Sequence, residues 1–147
     1  MMGAIFSVFL FAIGVVYANV IEYSIHRYFF HGLGKKKNSL FAFHLRGHHL
    51  VSRKNDFFDL KISAAETSGV LFLLVTQLPI LFIAPAMFCG LALYGALFVV
   101  LHNHMHKNPE FAKRHFRWHW NHHMQNQNKS WGVVLPLTDI ITGTLEK

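Results

Sequence analysis

The chain has 147 residues, enough for one domain and too few for two ordinary ones. Hydrophobic residues make up 52% of it and charged residues 14%, too few charges to cover an ordinary water-facing surface. A net charge of +7 would suit a nucleic-acid partner, but beside long uncharged segments it is met more simply by anionic lipid headgroups, and no nucleic-acid role is expected.

Residues 3–21 carry no charged side chain and fit one membrane crossing of about 20 residues. A cleaved signal peptide calls for a basic segment ahead of the apolar one; the first cation is Arg27, so the segment is read as a span. Its helix is expected to run on through Glu22 to His26 and to stop at Gly32 and Gly34, ahead of Lys35, Lys36 and Lys37. Asn38 or Ser39 is placed to cap a short helix carrying Phe41 to His49, and Asp56 or Asp59 to lead into the next. No charge occurs from Ser68 to Leu101, which allows two short or tilted crossings at about 64–80 and 84–102, their turn bracketed by Pro79 and Pro85. Asn108-Pro109-Glu110 is a helix start signal, and the helix expected from there to about Gln127 mixes cations with Phe111, Phe116, Trp118 and Trp120, as a headgroup-level helix does. Residues 128–147 read as a polar turn and a tail. The single cysteine, Cys89, permits no intrachain disulfide.

All 14 Lys and Arg lie in residues 27–61 and 107–147, which the positive-inside rule places in the cytoplasm. The expectation is an all-α integral membrane protein, one domain over residues 1–147, with about three transmembrane helices and a cytoplasmic helical cap. A bacterial inner membrane and the endoplasmic reticulum both fit.

The chain has 12 histidines and 7 acids. The histidines fall in four groups at or beyond the cytoplasmic ends of the spans: His26 and His31; His44, His48 and His49; His102, His104 and His106; His115, His119, His122 and His123. Residues three or four apart share a helix face, so His44 and His48 pair, as do His102 and His106, and His119, His122 and His123 can converge on one point. His26 and His31 are five apart and share a face only if the helix ends or bulges near Phe30. A heme needs two facing imidazoles and leaves most of the set unused. A metal transporter would be expected to carry ionisable ligands near the membrane midplane, and between Glu66 and His102 the polar side chains are only Thr67, Ser68, Thr76, Gln77 and Tyr94. Imidazole suits iron, zinc and copper, and two metals with about five nitrogens each would use ten of the twelve. The ten are His26, His31, His44, His48, His49, His102, His106, His119, His122 and His123. His104 and His115 remain as spares or as groups that orient a ligand.

The boxes resemble those of the fatty acid hydroxylase and sterol desaturase superfamily. His26 to His31 is similar to its HxxxxH box, His44 to His49 to HxxxHH, His102 to His106 to HxxxH, and His119 to His123 to HxxHH. Gly132, Pro136, Asp139, Gly143 and Thr144 are spaced as in its closing segment, with Thr138 and Ile141 where the family usually has Trp and Phe. The resemblance covers about residues 20–144. It implies a di-iron centre, molecular oxygen as co-substrate, and hydroxylation or desaturation of an unactivated C–H bond in a fatty acyl or sterol-like lipid. Zinc is an alternative occupant in purified protein. Electrons would come from an outside donor, a cytochrome or a ferredoxin with its reductase. One span precedes the first box where larger members have more, so a partner subunit, such as a second copy, is expected to help enclose the lipid. The beta-carotene hydroxylases, relatives with similar boxes and short chains, make a carotenoid ring the alternative substrate. From another class, a non-enzymatic membrane metal-binding protein also fits the histidines.

No side-chain nucleophile is expected. Glu22, one turn before His26, is placed to accept its ring N–H, and Asp139 either orients a ligand or caps a turn. Trp118, Trp120 and Trp131 read as an interfacial belt, and Lys35 to Lys37 as headgroup contacts.

Overall fold

The computed structural model describes residues 2–60 and 63–146, without the side chains of Ser63, Ala65 and Glu66. Lys61 and Lys147, counted in the expected cytoplasmic stretches, lie outside the described residues. The described chain is helical, with no strand. Helix α1 spans Met2–Ser24 and passes without a break into a π-turn at Ile25–Phe30; a second π-turn at His44–His49 leads into α2, Leu50–Lys54. Then come α3 (Ser63–Thr76), α4 (Leu78–Ile83), α5 (Pro85–Lys107), α6 (Pro109–His115), α7 (Arg117–Met124) and α8 (Leu137–Thr142).

Among the described residues, two helical stretches are long and apolar enough to cross a membrane, Met2–Lys35 and Pro85–Lys107. The segment expected as the second span, 64–80, is two shorter helices instead. Gln77 leaves helical geometry at φ −95° and ψ 2°, and Pro79 in the first turn of α4 has no N–H to carry the ladder across. Ala84 turns the chain at φ −143° and ψ 70°, and Pro85 starts α5 rather than merely flanking it. Beyond Asn108, the single helix expected to Gln127 is broken at Phe116, with φ −131° and ψ 46°, into α6 and α7. The tail is more ordered than its composition suggested, since it contains α8.

Helices α1 and α5 form the central pair, and two glycines let their backbones touch. A β-carbon at Gly14 would lie 2.0 Å from the Met87 carbonyl oxygen, and one at Gly90 would lie 2.2 Å from that of Phe11. Small residues at a crossing are how membrane helices gain van der Waals contact when lipid removes the hydrophobic drive. A polar clasp reinforces the pair: Asn19 Nδ2 donates to Tyr94 Oη (2.8 Å) and to the Leu135 carbonyl (2.7 Å), while its Oδ1 accepts the Thr138 N–H at 3.0 Å. The closing segment is thereby fastened to α1 and α5.

The apolar core is small. One cluster joins Ala18, Leu91, Tyr94 and Val134, and another joins Phe57, Met105, Ala112 and Val133. Large apolar side chains such as Phe6, Phe72, Phe82 and Ile83 point outward, as in a protein whose solvent is lipid. Much of the buried interior is imidazole.

Candidate metal centre

A π-turn bonds residue i+5 back to residue i, so residues five apart stack on one side. The first one carries the His31 N–H to the His26 carbonyl at 3.0 Å, which brings both rings to one place. This is the bulge that the spacing required. The second π-turn does the same for His44 and His49, whose Nε2 atoms are 3.2 Å apart.

The ten selected histidines are all buried, and nine of them fall into two sets. His26, His31, His44, His49 and His122 form one, and His48, His102, His106 and His123 form the other; in each set one ring nitrogen from every histidine lies within 4.8 Å of those of the others. His119 adjoins the second set, with its Nε2 3.2 Å from His106 Nε2. The sets touch where His49 and His123 stack at 4.1 Å.

The partition differs from the expected face-sharing in two places. His44 and His48 do not pair, because a π-turn carries His44 to His49 and leaves His48 on the other side. His119, His122 and His123 do not converge either. Consecutive helical residues point about 100° apart, so the doublets His48-His49 and His122-His123 each send one ring to each set. His104 and His115 are exposed and belong to neither. The His104 ring lies against Phe111 at 4.6 Å and the His115 ring at 5.0 Å.

Several rings are held from behind. His26 Nδ1 donates to the Trp131 carbonyl (2.6 Å), His122 Nδ1 to that of Lys129 (2.6 Å), and His106 Nδ1 to that of Phe57 (2.8 Å). A ring nitrogen facing a carbonyl must carry the proton, so Nε2 of each presents its lone pair to the interior. Two of these carbonyls sit beside left-handed backbone: Phe57 has φ 77°, and Ser130, next to Lys129, has φ 58°. Such non-glycine outliers concentrate where the surroundings impose them at sites of function. His48 Nδ1 is 3.3 Å from Asp59 Oδ2. Asp59 and the three carbonyl partners escaped sequence reading, and backbone carbonyls leave no signal in a sequence.

Glu22 is not the partner of His26. Its Oε2 accepts from Tyr94 Oη (2.6 Å) and its Oε1 from the Val133 N–H (3.1 Å). Asp139 caps the closing loop, accepting from the Trp131 and Gly132 N–H groups and from Thr144 Oγ1. Trp131 is no interfacial residue: it is buried, its ring 4.9 Å from that of His31 and 5.4 Å from that of His122.

Burial, and then the charge that neighbouring imidazoles would carry, holds His44, His49, His119, His122 and His123 well below the ordinary histidine range. They are neutral at pH 7, the form that binds metal. A cavity of about 390 Å3 opens between α1, α3 and α5. Its walls are mainly apolar, including Ile25, Phe29, Val70, Leu73 and Phe98, and it reaches His26 and His44 of the first set and His102 of the second.

Fold and site together define a helical membrane protein with paired clusters of buried imidazoles beside an apolar cavity. The chain belongs to the fatty acid hydroxylase family, whose model matches residues 11–144. It is 29% identical over 143 aligned positions to a dihydroceramide fatty acyl 2-hydroxylase of Arabidopsis thaliana, an alignment covering 91% of this chain. The chain spans 59% of that relative's length. No solved structure matches it significantly.

Proposed function

We propose that the protein is an oxygen-dependent hydroxylase that acts on an unactivated C–H bond of a lipid, with two irons held by the ten buried histidines. The observation that carries this reading is the division of buried imidazoles into two sets at the head of an apolar cavity. His26, His31, His44, His49 and His122 would hold one ion; His48, His102, His106, His119 and His123 would hold the other.

The donor set fits. Buried polar nitrogens are costly unless bonded, yet both ring nitrogens of His123 have no hydrogen-bond partner among the described residues. Within the first set, neighbouring Nε2 atoms stand 3.0–3.2 Å apart. Two nitrogens each about 2.1 Å from one ion, at a right angle, would be about 3.0 Å apart. Zinc would accept the same nitrogens; the family match favours iron with oxygen.

When bound, the irons supply the oxygen activation that an unreactive aliphatic C–H bond demands. The balanced reaction takes the substrate C–H, molecular oxygen, two electrons and two protons to the alcohol and water. An outside donor, a cytochrome or a ferredoxin, brings the electrons. The chain's own contribution is positional. Trp131, Lys129 and Phe57 fix the rings of His26, His122 and His106, so the donor nitrogens need no rearrangement on binding. The Phe29, Val70, Leu73 and Phe98 walls take an acyl chain from the bilayer and keep water from the reacting carbon. The cation-rich segments 27–61 and 107–147 would lie on the cytoplasmic side, within reach of a soluble donor.

The test is to incubate iron-loaded protein in native-lipid vesicles with a reductase system and isotopically heavy oxygen gas. The proposal expects a lipid carrying one heavy oxygen atom in a new hydroxyl. Unlabelled lipid from protein that holds its iron and is being reduced would refute it and leave the non-enzymatic metal-binding protein.

A further inference from the structure

Each set of histidines has a buried carboxylate near it, but the two are connected differently. In the second set Asp59 reaches His48 directly. The first set has no such contact from Glu22, which is committed to Tyr94 and Val133. Asp139 is fully buried, and its Oδ2 accepts the Gly132 N–H at 2.7 Å. That N–H and the Trp131 carbonyl are two ends of one peptide group, and the carbonyl accepts from His26 Nδ1 at 2.6 Å. An unbroken line therefore runs from carboxylate through amide to imidazole.

We propose that Asp139 is a positioning residue for the first metal, acting on His26 through the Trp131–Gly132 peptide in a carboxylate–peptide–histidine relay. The inference rests on the metal reading above. A carboxylate bonded to an amide N–H polarises the amide and draws more negative charge onto its oxygen. The oxygen then holds the Nδ1 proton of His26 more firmly, and Nε2 becomes a better donor, as when a carboxylate bonds a metal-binding histidine directly. The peptide must lie close to the carboxylate for this, and residue 132 is suited to it. A β-carbon there would be 2.2 Å from the Leu135 carbonyl oxygen and 3.2 Å from Asp139 Oδ2. The other carboxylate oxygen, Oδ1, accepts the Trp131 N–H (2.9 Å) and Thr144 Oγ1 (2.7 Å), which aims Oδ2 at Gly132.

The experiment is an anaerobic cobalt(II) titration of the detergent-purified full chain, followed by absorption and equilibrium dialysis. Wild type is compared with Asp139→Asn and with Thr138→Val, which removes the bond from Thr138 Oγ1 to Asn19 Oδ1 in the same segment and leaves every Asp139 contact in place. The relay predicts that Asp139→Asn weakens one of the two cobalt equivalents by about 10–100-fold, shifts that equivalent's absorption, and spares the other. Thr138→Val keeps both affinities. If Asp139→Asn does not yield folded protein, Asp139→Glu keeps the charge but displaces it, and the same single equivalent should weaken. Equal weakening of both equivalents, the same loss in Thr138→Val, or no change in the Asp139 variants would each overturn the relay. A wild type that binds no cobalt tightly would fail the metal reading itself, a result distinct from two intact equivalents indifferent to Asp139.

Discussion

Replacing His122 by alanine should empty one metal site and leave the other filled. His122 Nε2 is 3.1 Å from His31 Nε2, inside the first set, while its neighbour His123 belongs to the second. The variant removes one of five nitrogens from one ion. Loss of a group that merely orients a ligand costs 10–100-fold in metal affinity, so loss of the ligand is expected to cost on the order of a thousand-fold. Metal present at about 100 times its dissociation constant stabilises the fold by about 2.7 kcal/mol, and a thousand-fold weakening removes nearly all of that. For a chain of this size, the loss corresponds to a fall of about 5–10 °C in apparent Tm. The assay is metal per chain by elemental analysis, with thermal unfolding in detergent, on His122→Ala, His123→Ala and His104→Ala. The first two should each retain about one metal, and adding both should give none. His104→Ala should match wild type, because that ring is exposed and lies on Phe111. Two metals in His122→Ala, or equal loss in His104→Ala, would refute the assignment of rings to sets.

Other consequences reach the fold, the cavity and the pH response. Gly90→Val places a β-carbon 2.2 Å from the Phe11 carbonyl oxygen, so α1 and α5 must part by about 1 Å; a loss of about 1–3 kcal/mol is expected, measured as a lower unfolding midpoint in detergent. Gly69 lines the cavity and a β-carbon there meets nothing within 4 Å, so Gly69→Phe should fill the cavity, suppress lipid hydroxylation and leave metal content unchanged. Without metal, the fold should lose stability on acidification. His44, His49, His119, His122 and His123 stay neutral when folded but take up protons near pH 6.5 when unfolded, so the unfolded state binds more protons below that pH. Each can remove up to about 1.4 kcal/mol per pH unit as pH falls from about 6.5 toward its depressed folded value, and the loss should be absent above pH 7. A flat unfolding midpoint between pH 7 and 5 would contradict this.

The histidine boxes and both long helices were legible because their signals are local: repeated residue types at short spacing, and uncharged runs of membrane length. Allocation of rings was legible only in part. Helical face-sharing assumes 3.6 residues per turn, and the chain departs from that period where it matters, at Ile25–Phe30 and His44–His49. The doublets His48-His49 and His122-His123 held a usable sign, since adjacent residues on a helix cannot face the same point. The division of the 64–80 segment into α3 and α4 was signalled weakly, by Pro79. The carbonyls of Trp131, Lys129 and Phe57 could not be foreseen, because any residue offers one and only the folded chain brings it to a ring. Asp139 was visible as an acid but not its path to His26, which passes through a peptide group.

Metal per chain, with an absorption spectrum, on protein purified anaerobically in mild detergent from iron-supplemented cells tests the dimetal oxygenase most directly. The expected result is about two irons per chain, no heme band, and a spectrum that changes on reduction and again on exposure to oxygen. A heme band, or one metal or fewer per chain after careful reconstitution, would contradict it.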